Sequence, residues 1–346
     1  MPTVPPSMTA EDVVKLGQKC LEQVPVVVLG SGASAQYGIG GMAALQDYLL
    51  KHVTPTGSAE TDSWSKFTEE LKKTKDLEAA LHAVSLPAAL ESRVIHATRK
   101  MVLEGDLLVQ QRMADGKADF ALSSLIKYLF RSTHREIQIV TTNYDRLAEY
   151  ACDAACIPHF TGFLGGYYRS YQSSAPPRGA FGNAVADILK VHGSLDWFMN
   201  PEQTVVSLSD SVTIPHDFAP VMVTPGTGKY AVTHDEPFRT IITRSDNAFA
   251  HARAILCVGY GFNDRHIQPK LMNRIVKEKV PLVILARSLT PKTREFVKQC
   301  KHQHFVALEN SGTGSKAYTC DFPDGVDVKE PLWEFGTFLD KTIGKQ

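Results

Sequence analysis

Net charge is the first thing this chain lacks. Its 346 residues hold 37 Lys plus Arg and 37 Asp plus Glu, so no overall field draws it to nucleic acid or to an anionic membrane. Long apolar runs are missing as well. Residues Met1–Ala10 are rich in Pro, Ser and Thr, without the basic start and apolar run of a secretory signal. The apolar stretch Val24–Leu29 is far too short to span a bilayer. Cysteine is sparse: of Cys20, Cys152, Cys156, Cys257, Cys300 and Cys320, only Cys152 and Cys156 stand close together. That spacing excludes a disulfide framework and a four-cysteine zinc pattern. Reduced thiols in a cytoplasmic protein are the expectation. Disorder is excluded by composition, since 43% hydrophobic and 21% charged residues is an ordinary globular balance. The length suits one large domain or two modest ones, with a real core; a single domain, 1–346, is the expectation.

What the sequence does have is short β-branched runs without polar alternation, each ending in small or polar residues. Pro25–Leu29, Ile137–Val140, Ile188–Val191, Ala254–Val258 and Pro281–Leu285 read as strands buried on both faces. Val221–Val223 reads as another strand leaving for a loop. Helical patterns fill the gaps: Thr9–Glu22 with Thr9 as its cap, Met42–His52, Arg146–Cys156, Phe238–Ala252, Ile267–Glu278, Thr293–Lys301 and Glu330–Thr342. Residues 63–130 form a mainly helical insert, with long helices over Glu69–Val84 and Leu86–Leu108 and a shorter one over Ala118–Phe130. Gly162–Asn183, rich in Gly, Pro, Ser and Tyr, reads as a long loop, and loops of that length are usually functional. Apolar strands alternating with helices predict an α/β fold, a Rossmann-like parallel sheet with helices on both faces. In such sheets a ligand lies beyond the carboxyl ends of the strands.

Four clusters fall at those ends. Gly30-Ser31-Gly32-Ala33-Ser34 is a small-residue turn whose glycines permit close approach to a pyrophosphate, with amides at the next helix start to bind its charge; a plain turn explains it equally. The third glycine of the usual dinucleotide fingerprint is missing at its spacing, and Gly38, Gly40 and Gly41 come later. Thr141-Thr142-Asn143-Tyr144-Asp145 offers Asn143 as a donor and acceptor for a water or a ribose hydroxyl, or as a helix cap. His192-Gly193-Ser194 offers a general base, or a core histidine bonded to backbone; Gly193 argues for close approach of a ligand. Gly259-Tyr260-Gly261-Phe262-Asn263-Asp264 fits a second phosphate or a ribose, with Asp264 either a helix cap or a ribose ligand.

In this order, Gly-Ser-Gly-Ala-Ser with Gly38-Ile39, Thr-Thr-Asn-Tyr-Asp, His-Gly-Ser and Gly-Tyr-Gly-Phe-Asn-Asp closely resemble the sirtuin family, and within it the bacterial sirtuin-like proteins of anti-phage defence. The resemblance runs from about Val24 to Leu285. It implies NAD as substrate. It places Gly30, Ser31, Gly32, Ala33 and Ser34 around the NAD phosphates and nicotinamide ribose, and Asn143 and Asp145 in the nicotinamide pocket. It makes His192 the catalytic histidine, and puts Gly259, Gly261 and Asn263 on the adenosine half; Asp264 joins them as a candidate cofactor-binding residue by its place in the same cluster.

Three departures shape the expected activity. Deacetylating sirtuins carry an acidic-Phe-Arg cluster after the Gly-Ile, where Gly40-Gly41-Met42-Ala43 stands here. They carry a zinc module with two cysteine pairs between the histidine and the later glycine loop, where only Cys257 occurs, so no metal is expected. No acyl-lysine channel is recognisable. NAD glycohydrolysis to nicotinamide and ADP-ribose is therefore the expectation. In it, Asn143 orients water and ribose, His192 accepts a proton, and Asp145 stabilises positive charge on the sugar or holds the carboxamide. A non-catalytic nucleotide sensor and a protein deacylase are the alternatives. The resemblance also implies homo-oligomerisation. Because the sirtuin-like region fills most of the chain, it implies a separately encoded partner such as a HerA-type hexameric ATPase. Phe160–Tyr171, rich in aromatics, is then a contact surface or an active-site lid.

Overall fold

The computed structural model describes residues 8–174, 184–209, 213–224, 235–264 and 267–345. Helix α1 (Ala10–Glu22) starts at a capping box: Thr9 accepts from the Asp12 amide, and Asp12 accepts from the Thr9 amide. Strand β1 (Val26–Leu29) follows, then two short helices, α2 (Ser31–Ala35) and α3 (Met42–His52). The small-residue segment after β1 is thus the first turn of a helix rather than a plain turn. Helices α4 (Gly57–Thr74), α5 (Leu77–Ala83), α6 (Ala88–Ala114) and α7 (Ala121–Leu129) come next. The helix expected over Glu69–Val84 is broken in two, because Lys75 takes a left-handed φ of 53° and Asp76 caps a new helix on the Ala79 amide.

Strand β2 (Glu136–Thr141), α8 (Leu147–Ala154), β3 (His159–Phe160), β4 (Phe163–Gly165), β5 (Tyr168–Tyr171), β6 (Val185–Lys190), β7 (Gly193–Met199), β8 (Val205–Leu208) and β9 (Ala219–Met222) lead to α9 (Phe238–His251). Then come β10 (Ile255–Val258), α10 (Gln268–Val276), β11 (Leu282–Leu285), α11 (Pro291–Gln299), β12 (Phe305–Asn310), β13 (Ser315–Tyr318), β14 (Val326–Val328) and α12 (Phe335–Ile343).

The main sheet runs β14-β13-β12-β11-β10-β1-β2-β6-β3. It is parallel from β12 through β3, with β13 and β14 added antiparallel at one edge. Alternate residues of its central strands feed opposite faces. Val27, Leu29, Leu256, Val258, Val283 and Leu285 pack in one core with residues of α1, α7, α8 and α12. Val26, Val28, Ile255, Cys257, Leu282 and Ile284 pack in the other with residues of α9, α10 and α11. Burial on both sides is why these strands carry no polar alternation. Residues of α3 to α6, among them Leu45, Phe67, Leu81 and Leu90, build a third, separate core.

A second sheet, absent from the expectation, runs β4-β5-β8-β7-β9 and is antiparallel throughout. It packs Phe163, Trp197 and Val205 into the second core. Part of the expected loop over Gly162–Asn183 is therefore the β4–β5 hairpin, and residues 175–183 lie outside the described residues. The chain leaves the parallel sheet at β6 and enters the antiparallel one at β7, and only Val191 and His192 separate the two. Gly193 makes that turn at a φ of +88°, and a Cβ there would lie 2.4 Å from the Val221 carbonyl oxygen. The close approach that Gly193 permits is thus of backbone, not of a ligand. Among the described residues, no helix is long and apolar enough to cross a membrane.

Candidate active site

Strands β2, β6 and β3 build the parallel sheet out from β1 on one side, and β10, β11 and β12 on the other. The order reverses between β1 and β10, which makes this pair of strand ends the switch point at which such sheets take a ligand. A cleft of about 820 Å³ opens there, within the range of small-molecule sites. Gly30, Ser31, Gly32, Ser34, Asn143, Asp145, His192, Gly259, Gly261, Asn263 and Asp264 all line it. Ala33 does not; it faces a smaller cavity behind Asn143 and Asp145.

The Gly30 and Gly259 loops cross backbone to backbone. The Gly30 amide donates to Val258 O, the Gly32 amide to Gly259 O, and the Ala33 amide to Gly30 O. These amides are spent inside the protein, whereas that of Ser31 takes no part in such bonds. The glycines of the first loop therefore answer first to the second loop. Among the described residues, Arg287 and His192 are the cationic or potentially cationic side chains of the cleft wall, against Glu78, Asp145 and Asp264.

Asn143 does not cap the following helix. Its Nδ2 donates to Gly30 O and to Ser34 Oγ, both at 2.9 Å. A carbonyl only accepts, so the partner Gly30 O fixes which way the amide points. Ser34 Oγ in turn donates to Asp145 Oδ2 at 2.6 Å. Asp145 Oδ1 accepts from the Leu147 amide at the start of α8, whose N-cap residue is Arg146. The chain Asn143, Ser34, Asp145 thus locks the end of β2 to the loop after β1. The Asp145 carboxyl is pushed up to about 6 by burial, opposed by the Lys190 charge and the Ser34 hydrogen bond. Lys190 is wholly buried and reaches Asp145 O and Glu149 Oε1.

His192 lies in the wall beside Asp264. Its Nε2 stands 2.5 Å from Asp264 Oδ2, outside hydrogen-bond alignment. Asp264 also accepts from the Ile267 amide at 3.4 Å, so both readings of it, as cap and as site residue, meet in one side chain. Tyr260 shares the wall, with its hydroxyl buried and without a hydrogen-bond partner. Burial raises the phenols of Tyr144 and Tyr260 well above the ordinary tyrosine range, and the charges of Asp264 and Glu78 push the same way.

A SIR2-like domain matches this chain over residues 137–305. That SIR2-like segment contributes Asn143, Asp145, His192 and the Gly259 loop, whereas the Gly30 loop precedes it. No curated protein matches the sequence. Among solved structures the chain is similar to Sir2Tm bound to a propionylated peptide, with a TM-score of 0.48 and 13% identity, covering 96% of this chain and 98% of that one. It is also similar to a Sir2 homolog–NAD complex, with a TM-score of 0.44 and 16% identity, covering 84% of this chain and 88% of that one.

The cleft also draws on residues that sequence reasoning missed. Arg287 and Ser288 follow β11, which had been expected as a strand, so the strand-end rule could have found them. Asn310 ends β12, a strand that was not among those expected from the sequence. Glu78 comes from α5 and carries no local signal at all. No residue of Phe160–Tyr171 lines the cleft; Tyr167 and Tyr168 point outward from the hairpin, 82% and 52% exposed. Among the described residues, no group of three or more His, Cys, Asp or Glu stands where it could hold a metal ion.

A pH dependence follows from Asp145. Folded, it keeps its proton up to about pH 6, whereas an unfolded aspartate releases it near 3.8. The folded state binds more protons between those values, so this group's contribution to stability falls as pH rises from about 4 to 6, by about 3 kcal/mol in all. Asp187, also pushed up to about 6 by burial, adds a slope of the same sign. Urea unfolding across pH 4–7 is expected to show this decline, and Asp145→Asn to make it shallower.

Proposed function

We propose that the cleft binds NAD and hydrolyses its nicotinamide–ribose bond to give nicotinamide and ADP-ribose. The observation that carries this reading is convergence: four strand-end clusters, far apart in sequence, meet in one cleft at the switch point, with Asn143 and His192 both in its wall. The residues suit such a substrate. The Tyr260 hydroxyl, the Asn143 amide and the Arg287 guanidinium are polar groups in the wall that suit the ribose hydroxyls and phosphates of such a substrate.

Nicotinamide leaves as a neutral ring, so the protein owes the leaving group little acid help. The anomeric carbon gains positive character, as in glycoside cleavage. The work left to the chain is to hold the substrate, place a water and accept its proton. Asn143, immobilised by Gly30 O and Ser34 Oγ, keeps one amide oxygen with which to orient a water or a ribose hydroxyl. His192 accepts the proton. Asp145 holds the Asn143–Ser34 chain through Oδ2, its Oδ1 accepts from the Leu147 amide, and it remains in the cleft wall.

The test is NAD consumption with product identification. His192→Ala is expected to lower turnover by on the order of 10²–10⁴-fold, and Asn143→Ala by a comparable factor, with both variants folded. A wild-type chain that binds NAD and never cleaves it would establish a sensor instead. By the same resemblance, the activity depletes NAD in anti-phage defence within a homo-oligomer assembled with a HerA-type ATPase. Co-elution of the chain with such an ATPase, and stimulated turnover in that complex, are the expected results.

A further inference from the structure

His192 and Asp264 come from opposite sides of β1. The histidine follows β6, two strands away on one flank, and the aspartate follows the neighbouring β10 on the other. Both are buried in the cleft wall, with 11% and 5% of their side chains exposed, and Nε2 and Oδ2 are 2.5 Å apart. Nε2 is fully buried and is the ring nitrogen set against the carboxylate, on a histidine that itself lines the cleft. Asp264 is held from behind by the Ile267 amide. The other acidic and phenolic groups of this wall are Glu78, Asp145, Tyr144 and Tyr260; Asp145 accepts from Ser34 and from the Leu147 amide, and Tyr144 donates to Val223 O.

We propose that Asp264 is the positioning residue for His192. This rests on reading the cleft as an NAD hydrolase site. The Asp264 carboxylate accepts the Nε2–H, which selects the neutral tautomer and leaves the Nδ1 lone pair facing the cleft. Hydrogen bonds of this kind often align only with substrate in place. As the water oxygen bonds to the anomeric carbon, the C–N bond breaks and its electron pair leaves with the nicotinamide nitrogen. The water proton passes to Nδ1, and the resulting imidazolium faces the ionised Asp264. An aspartate committed to the ring in this way is not available as a ribose ligand, one of the two roles its place in the Gly259–Asp264 cluster allowed.

The test uses the full chain in whichever assembly cleaves NAD. Asp264→Asn keeps the shape and removes the charge. It is expected to lower kcat by on the order of 10²-fold while KM for NAD stays within about twofold. Placed in a His192→Ala background it is expected to cost less than about twofold more, because the two act as one unit. Asp264→Glu restores part of the rate. In ¹⁵N-histidine spectra at alkaline pH, the His192 signals, identified by their loss in His192→Ala, are expected to report one Nε2–H tautomer in the wild type and a mixture in Asp264→Asn. A raised KM with unchanged kcat would make Asp264 a ribose ligand and overturn the proposal, as would full additivity with His192→Ala or an unchanged tautomer. If the wild type cleaves no NAD in any assembly, the hydrolase reading fails by itself, and the tautomer spectra still decide whether Asp264 positions His192.

Discussion

Lys190→Met is expected to destabilise the protein by about 3–5 kcal/mol, the cost of breaking a buried ion pair from one side. Lys190 is 0% exposed near the end of β6, and its ammonium reaches Glu149 Oε1 at 2.8 Å and the Asp145 carbonyl oxygen. Glu149 already has one buried oxygen, Oε2, without a partner. Removing the ammonium strands the whole carboxylate in the core. Methionine fills the space of the lysine stem, so little of the loss comes from packing. The double variant Lys190→Met/Glu149→Leu is expected to recover most of the stability, because the penalty belongs to the orphaned charge and not to the site. Urea unfolding of the two variants checks this. A single variant as stable as the wild type would show that Glu149 finds another partner or takes up a proton at no cost. The site is affected too: the Lys190 charge opposes the upward push of burial on the Asp145 carboxyl, so its loss moves Asp145 further toward the protonated form.

Gly259→Ala is expected to cost at least about 3 kcal/mol and to abolish any activity of the cleft. Two penalties coincide. Gly259 has a φ of +60°, which disfavours a side chain, and a Cβ would sit 2.2 Å from the Ala33 nitrogen and 2.3 Å from the Gly32 carbonyl carbon. Those are backbone atoms that cannot rotate away, so the two loops must part. The parting would break the bond from the Gly32 amide to Gly259 O and move Ser34, which carries the hydrogen bonds from Asn143 and to Asp145. Gly261→Ala is the control. Its Cβ would meet only the Thr290 methyl at 3.1 Å and the Asn263 amide, both side chains, without a positive φ. Thermal melting of the pair should separate sharply. Equal behaviour would mean that the crossing of the two loops is not what holds the cleft in shape.

Much of the fold was legible because parallel strands buried on both faces leave an unmistakable trace. Val26–Leu29, Ile255–Val258 and Leu282–Leu285 are apolar at every position since each alternate residue meets a different core. The cap at Thr9 and the strand-end clusters were legible for local reasons as well, whereas the reciprocal bond from the Thr9 amide to Asp12 came from the structure. The second sheet was not. Its strands β4, β5 and β8 are three or four residues long, and β7 follows β6 with only two residues between, so no turn signal marks the change of sheet. Asn143 shows the limit of local reasoning most clearly: a cap by its position, it is a brace between two loops because β2 pairs with β1 and brings Gly30 within 2.9 Å.

By itself, then, the sequence determined the parallel α/β class and the loops that would surround a ligand, because burial pattern and strand ends are properties of neighbouring residues. Only the tertiary structure decided which side chains share that site and what each is free to do. The pairing of His192 with Asp264, the engagement of both Asp145 oxygens, the burial of Lys190 and the arrival of Glu78 from the helical layer all join residues 40 to more than 100 positions apart, or belong to distances that no local pattern encodes. They depend on the strand order β10-β1-β2-β6, and that order is set by how helices and strands cover one another's apolar faces, not by any motif along the chain.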